Sequence, residues 1–229
     1  IQKIIYTFFF FIEFISEQKQ KKNFLFDFDE RELNIFYSNK EKNLKNYNSP
    51  GRLCCDAYLL SFLKKNFNNH RKIKILDIGC GKGIYLSYFK NYFKDKEIKY
   101  VGLDKSKNDN WQTLVDENFK FYEVNFKNDN ILFFKKLKEK YGDFDLIFST
   151  SVLEHVEHDL SLIKDISQIF NSSINLHFVP SSISFMNYRR HGIRRYTERT
   201  LNLFNEYISN EVSLFPLGNH LTMKYYYIF

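Results

Sequence analysis

Residues 75–83 read Ile75-Leu76-Asp77-Ile78-Gly79-Cys80-Gly81-Lys82-Gly83. An apolar run climbs into an acid, and three glycines then alternate over five positions. A short, nearly continuous apolar run of this kind fits a parallel strand buried on both faces. A glycine turn behind it lets a ligand approach bare backbone, with the N-terminus of the next helix close by. The spacing is G-x-G-x-G. It lacks the third glycine of the dinucleotide fingerprint, because position 84 is Ile, and Lys82 is followed by Gly83 rather than by Ser or Thr as a phosphate loop requires. Asp77 beside the turn repels a pyrophosphate and favours an ammonium or sulfonium group. The ligand implied is a nucleoside with a cationic tail. Asp104, 21 residues after Gly83 at the end of "VGLD", is placed to take both ribose hydroxyls.

Outward from the turn the pattern alternates. After "IKILDIG" come a helical "GIYLSYFKNYF", a strand "IKYVGLD" and a strand "FKFYEVNF". "NILFFKKLKEKY" is helical, "FDLIFST" a fourth strand, "EHDLSLIKDISQIF" a helix and "SSINLHFVP" a fifth strand closed by Pro180. This succession predicts an α/β fold with a doubly wound, mostly parallel sheet. "TERTLNLFNEYI" reads as a further helix. "EVSLFPL" and "HLTMKYYYIF", separated by Gly218-Asn219, read as an antiparallel hairpin that completes a seven-stranded Rossmann-like sheet. The character changes near residue 71. Residues 1–70 are expected to form a helical extension or lid packed on the core, with a helix from Gly51 to Phe67, and residues 71–229 the cofactor-binding domain.

Composition bounds the partners loosely. Lys and Arg number 34 against 27 Asp and Glu, a net charge of +7 that favours anionic partners or reflects lysines on solvated faces. Three cysteines form neither a disulfide framework nor C-x-x-C metal spacing, which fits a reducing, cytoplasmic setting. The apolar stretch "IIYTFFFFIEFI" is interrupted by Glu13 and falls short of the ~20 residues of a spanning helix. No small-residue cleavage site follows it. It is expected to pack as a helix on the domain or a partner, with weak membrane-surface association as the alternative.

With these motifs in this order, residues 71–229 resemble the class I S-adenosylmethionine-dependent methyltransferases, of the small-molecule or surface-glycan type. The resemblance implies that Asp77, Gly79, Cys80, Gly81 and Gly83 hold the methionine end of the cofactor. It implies that Asp104, followed by Lys105, binds the ribose. Asn125 in "YEVNF" would meet the adenine amino group, with Phe126 near the ring and Ser149 in "FDLIFST" near the cofactor. "SVLEHV" is similar to a family element in which two Glu and a His hold a divalent metal. Here Glu154 and His155 match but Ser151 replaces the first Glu, so no metal is expected, and His158 or His177 would have to complete a site.

Methyl transfer from a sulfonium has a neutral leaving group. It needs orientation and dehydration, and for an oxygen or nitrogen acceptor a general base. His155 and His191 are the candidates. No Asn/Asp-Pro-Pro-aromatic element follows the fourth strand, and no cysteine lies near it to attack a cytosine. The segment "PSSISFMNYRRHGIRRYTERTL" leaves the C-terminal end of a strand and so borders the site. Arg189, Arg190, Arg194, Arg195 and Tyr196 are its candidate substrate residues, since Arg forks suit carboxylate or phosphate. "RRYTERTL" also resembles a structural helix-opening element of such enzymes. The expected activity is methylation of a small or glycan-linked acceptor, anionic and at oxygen. An RNA methyltransferase or nucleic-acid binder is the alternative, and a non-catalytic cofactor-binding regulator a third.

Overall fold

A computed structural model describes residues 30–37, 50–126, 130–180 and 192–208, together with Val212 and Leu217. The apolar stretch at 4–15, the expected terminal hairpin apart from Val212 and Leu217, and Arg189, Arg190 and His191 lie outside the described residues.

β1 (Lys72–Ile78) is buried from Ile75 onward because both its neighbours and both its faces are covered. It pairs in parallel with β2 (Glu97–Asp104) on one side and β4 (Leu146–Thr150) on the other. β3 (Phe119–Glu123) extends the sheet beyond β2, and β5 (Ile174–Phe178) beyond β4, giving the order β3-β2-β1-β4-β5. All five expected parallel strands are present. The sixth and seventh strands are not shown, because the segments expected to form them lie, apart from Val212 and Leu217, outside the described residues.

Alternation along β1 sends its side chains into two layers. Ile73 and Ile75 join a cluster with Leu86, Phe89, Tyr100 and Phe148. Leu76 and Ile78 join the opposite one, with Leu103, Phe134, Ile147 and Leu162. The first layer is covered by α1 (Glu30–Tyr37), α2 (Pro50–Phe67) and α3 (Ile84–Tyr92). The second lies under α5 (Ile131–Tyr141), α6 (Asp159–Ile169) and α7 (Glu198–Tyr207), while the one-turn α4 (Trp111–Leu114) sits between β2 and β3. Helix boundaries follow the sequence pattern closely. α7 is opened by a capping box in which the Thr197 side chain accepts from the Thr200 N–H.

The change of composition near residue 71 is no break in packing. Leu33, Phe36, Leu59, Leu60 and Leu63 are buried in the same cluster as Ile73, Ile75 and Phe89. The last carbonyl of α2 and two from the turn after it are gathered by one ammonium: Lys96 Nζ donates to Phe67, Asn68 and His70 oxygens at 3.1, 2.6 and 2.7 Å. A cation at a helix C-terminus satisfies the orphan carbonyls and opposes the helix dipole. This joins α2 to the loop that enters β2. No described helix is long and apolar enough to cross a membrane.

Candidate cofactor site at the switch point

Strand order reverses between β1 and β4, and the crevice beyond their C-terminal ends is where an open α/β sheet takes its ligand. The glycine turn stands there. Gly79 and Cys80 N–H groups both donate to the Leu103 carbonyl, at 2.7 and 3.0 Å, which bends the chain across the end of β2. Gly79 has φ +75°, and a Cβ on it would lie 2.2 Å from Val152 Cγ2. Gly81 differs. Its φ is +52°, but a Cβ there would meet nothing within 4 Å. Gly79 is glycine because Val152 fills the space behind it. Gly81 faces open space.

Gly81 is clamped from both sides. Its N–H donates to Asp104 Oδ2 at 2.8 Å, and its carbonyl accepts from the Trp111 indole at 2.8 Å. Trp111 stacks on Phe121 with ring centroids 5.3 Å apart, and Phe121 and Leu114 close against Gly83. The helix α4 that supplies Trp111 has no periodic signal in so short a segment, so sequence reasoning missed it. Asp104 Oδ1 accepts the Ser106 N–H at 3.1 Å, leaving further lone pairs on both carboxylate oxygens. Lys105 beside it is exposed.

Asp77 is only 2% exposed and lies in the first layer, where its Oδ2 accepts the Tyr100 hydroxyl at 2.5 Å. Burial pushes its carboxyl up to about 7; the Asp104 charge adds to this and the Tyr100 hydrogen bond opposes it. Because the folded pKa lies above the unfolded value of about 3.9, the folded chain holds a proton that the unfolded chain releases. Stability is therefore lost as pH rises from about 4 to about 7. In Asp77→Asn this loss is absent. Its melting temperature is expected to gain on the wild type by about 5–10 °C between pH 5 and pH 8, from about 2–3 kcal/mol. Parallel melting curves across that range would contradict the assignment.

The remaining expected residues fall in different places. Asn125 is exposed just after β3, where the Val124 N–H donates to the Asp104 carbonyl at 2.7 Å. Phe126 stacks on Phe134, with centroids 6.2 Å apart, in the second layer. Ser149 is fully buried and its hydroxyl is 2.9 Å from His177 Nδ1. Burial drives the His177 imidazole down to about 4, so it is neutral. His155 follows the buried Glu154 in a 3₁₀ turn, Leu153–His155. Its side chain is 43% exposed, with Nε2 3.9 Å from Glu154 Oε1. Among the described residues no group of three His, Cys, Asp or Glu side chains is arranged to hold a metal ion.

Of the described arginines of the 189–199 segment, Arg194 and Arg195 turn inward and Arg199 is exposed. Arg194 Nε lies 3.0 Å from Asp159 Oδ2, and the buried Tyr196 hydroxyl donates to the same oxygen at 2.6 Å. Arg195 is buried, and the Glu154 charge favours its charged form against the burial that lowers its pKa. The Ile193 and Tyr196 N–H groups donate to the Glu154 and Pro180 carbonyls. Gly192, at φ +75°, packs against Glu154, where a Cβ would come within 2.7 Å of Cγ. These contacts lash residues 192–196 across the 3₁₀ turn and the start of α6.

A group that the sequence did not single out occupies the crevice instead. Arg52 Nη1, from the first turn of α2, donates to Thr150 Oγ1 at 2.7 Å and to the Tyr85 hydroxyl at 3.0 Å. Its Nη2 lies 3.4 Å from Ser151 Oγ, on a residue at φ 55°. Thr150 ends β4 and Tyr85 opens α3, so this guanidinium stands at the switch point beside the glycine turn. Partners 33 and 98 residues away leave no local signal.

A glycine turn after the first strand and an acid ending the second stand together where an open, Rossmann-like sheet takes its ligand. A family model described as a methyltransferase domain matches residues 47–204, more than half of the chain. The chain belongs to this methyltransferase-domain family. A tRNA (guanine-N(7)-)-methyltransferase of Mesoplasma florum is 27% identical over 108 residues, 44% of this chain and 46% of that protein. An uncharacterized protein of Rickettsia prowazekii is 32% identical over 115 residues, 50% of this chain and 42% of its own length. The chain thus spans less than half the length of these two curated relatives. Among solved structures, the plantazolicin methyltransferase BamL, in complex with a triazolic desmethyl analogue and S-adenosylhomocysteine, superposes with TM-score 0.50. It is 17% identical, over 77% of this chain and 71% of that one, and shares the fold.

Proposed function

We propose that this chain transfers a methyl group from S-adenosylmethionine to a small-molecule or glycan-linked acceptor, at oxygen. One observation carries the cofactor half of this reading. The open face of Gly81 and the lone pairs of Asp104 form a cradle that a nucleoside fits and a side chain would fill. The +7 charge is compatible with an anionic acceptor.

When bound, the cofactor supplies a methyl on a positively charged sulfur. The chain's own residues bind, orient and dehydrate. Asp104 takes the ribose hydroxyls, and the backbone of Gly79 to Gly83, with Cys80, lines the amino-acid end. Asp77 sets the field beneath it. Asn125 meets the adenine edge, with Lys105 and Phe126 on the flanks and Ser149 at the floor. The guanidinium of Arg52 receives the methionine carboxylate, a match of planar donor fork to planar acceptor. His155 accepts the proton that the acceptor hydroxyl loses as its oxygen gains the methyl. Arg189, Arg190 and His191 belong to the acceptor side. Arg194, Arg195 and Tyr196 brace residues 192–196, which follow Arg189, Arg190 and His191 in the chain.

A second reading is methylation of RNA, favoured by the tRNA-modifying relative and the net charge. Calorimetry with S-adenosylhomocysteine tests the cofactor, with saturable binding expected. Titration with tRNA between ~50 and 200 mM salt separates the acceptors, because phosphate contacts lose affinity steeply across that range. Weak, salt-insensitive association is expected; tight binding with a steep slope would replace the first reading by the second.

A further inference from the structure

Behind Arg52 lies a buried carboxylate that neither the glycine turn nor the arginine-rich segment explains. Asp56, one helical turn further along α2, is 1% exposed. Its Oδ1 accepts the Tyr85 hydroxyl at 2.7 Å, and its Oδ2 accepts the Tyr37 hydroxyl at 2.5 Å. Tyr85 in turn accepts from Arg52 Nη1. Three helices and a strand therefore meet in one chain of polar contacts: Tyr37 of α1, Asp56 and Arg52 of α2, Tyr85 of α3 and Thr150 of β4.

A buried carboxylate is costly unless its oxygens are satisfied, and here two phenols do so. Donation by Tyr85 to Asp56 turns the phenol's lone pairs toward Arg52. The direction of the whole chain, from Asp56 through Tyr85 to the guanidinium, is thereby set. Arg52 carries several rotatable bonds and would otherwise sample many rotamers. Tyr37 sits at the last residue of α1, whose Leu33 and Phe36 are buried against α3. Phe36 packs on Tyr88 with centroids 4.9 Å apart, so docking of α1 delivers the Tyr37 hydroxyl to Asp56.

We propose that Asp56 is a positioning residue, which holds Arg52 through Tyr85 at the end of β4 and makes the carboxylate-binding end of the site depend on docking of α1 through Tyr37. This rests on the reading of Arg52 as the receptor of the methionine carboxylate. Asp56 touches no ligand itself. Its effect is confined to the part of the ligand that Arg52 meets.

The test compares two nucleosides by calorimetry. S-adenosylhomocysteine carries the amino-acid end, and 5′-methylthioadenosine lacks it. Arg52→Met is expected to weaken S-adenosylhomocysteine binding about thirtyfold and leave methylthioadenosine within about twofold. Asp56→Asn is expected to lower the ratio of the two affinities about tenfold in the same sense, and Tyr37→Phe about threefold. Tyr37→Phe removes a single hydroxyl and keeps the ring packing, so it remains informative if Asp56→Asn fails to fold. Equal losses for both nucleosides in Asp56→Asn and Tyr37→Phe, or unchanged ratios, would overturn the positioning role while leaving Arg52's role intact. An unchanged ratio in Arg52→Met would overturn the reading of Arg52 and this inference with it.

Discussion

Replacement of Asp104 by alanine is expected to weaken S-adenosylhomocysteine binding by about a hundredfold or more. Each hydroxyl donating to a carboxylate contributes about 1.5–3 kcal/mol, and two such bonds are lost together. Every ~1.4 kcal/mol is tenfold in affinity. The same substitution also frees the Gly81 N–H and the Ser106 N–H, both of which Asp104 holds. The turn that should receive the nucleoside is therefore loosened as well. Asp104→Asn keeps the shape and one acceptor, so a loss of about tenfold is expected there. The melting temperature should fall more in Asp104→Ala, which loses both of these backbone hydrogen bonds, than in Asp104→Asn, which keeps an acceptor. Unchanged calorimetric affinity in Asp104→Ala would remove the cofactor site from this end of β2.

The second large effect separates two glycines that look alike in sequence. Gly79→Ala should cost about 3 kcal/mol of stability: strain at positive φ, plus overpacking against Val152, which Cβ would approach to 2.2 Å. For a chain of this size that lowers the melting temperature by about 6–12 °C. Gly81→Ala carries the strain alone, about 1–2 kcal/mol, since nothing lies within 4 Å of its Cβ position. Its larger effect is on the ligand, with an affinity loss of about tenfold or more as the methyl enters the nucleoside's space. Equal melting temperatures for the two variants, with equal affinities, would refute this division between a structural and a binding glycine.

Much of the fold was legible because β1 to β5 and the helices between them are built from local periodicities. "IKILDIG" and "FDLIFST" read as buried strands because both faces are covered by helices, leaving no polar alternation. α1 escaped because its two buried anchors, Leu33 and Phe36, sit in an otherwise polar segment. At the glycine turn, Gly81 bonds Asp104, and Gly79 bonds the Leu103 carbonyl next to it, contacts between two neighbouring strand ends. The arginine-rich segment was harder. Its composition signalled an anion site, yet Arg194 faces Asp159 and Arg195 is buried beside Glu154, partners that no local pattern announces.

The sequence alone determined the turn: glycines at 79, 81 and 83 depart from the spacing of the dinucleotide fingerprint and of the phosphate loop, and acids stand at 77 and 104. These are properties of one turn and the end of one strand, so short-range order carries them. The tertiary structure alone decided which charged side chains face the crevice and which brace the chain. Arg52, Asp56, Tyr37 and Tyr85 are scattered over 49 positions and meet only because α1, α2 and α3 pack on one layer of the sheet. A buried charge must find its partner wherever the fold brings one, and burial does not exist until the layers close.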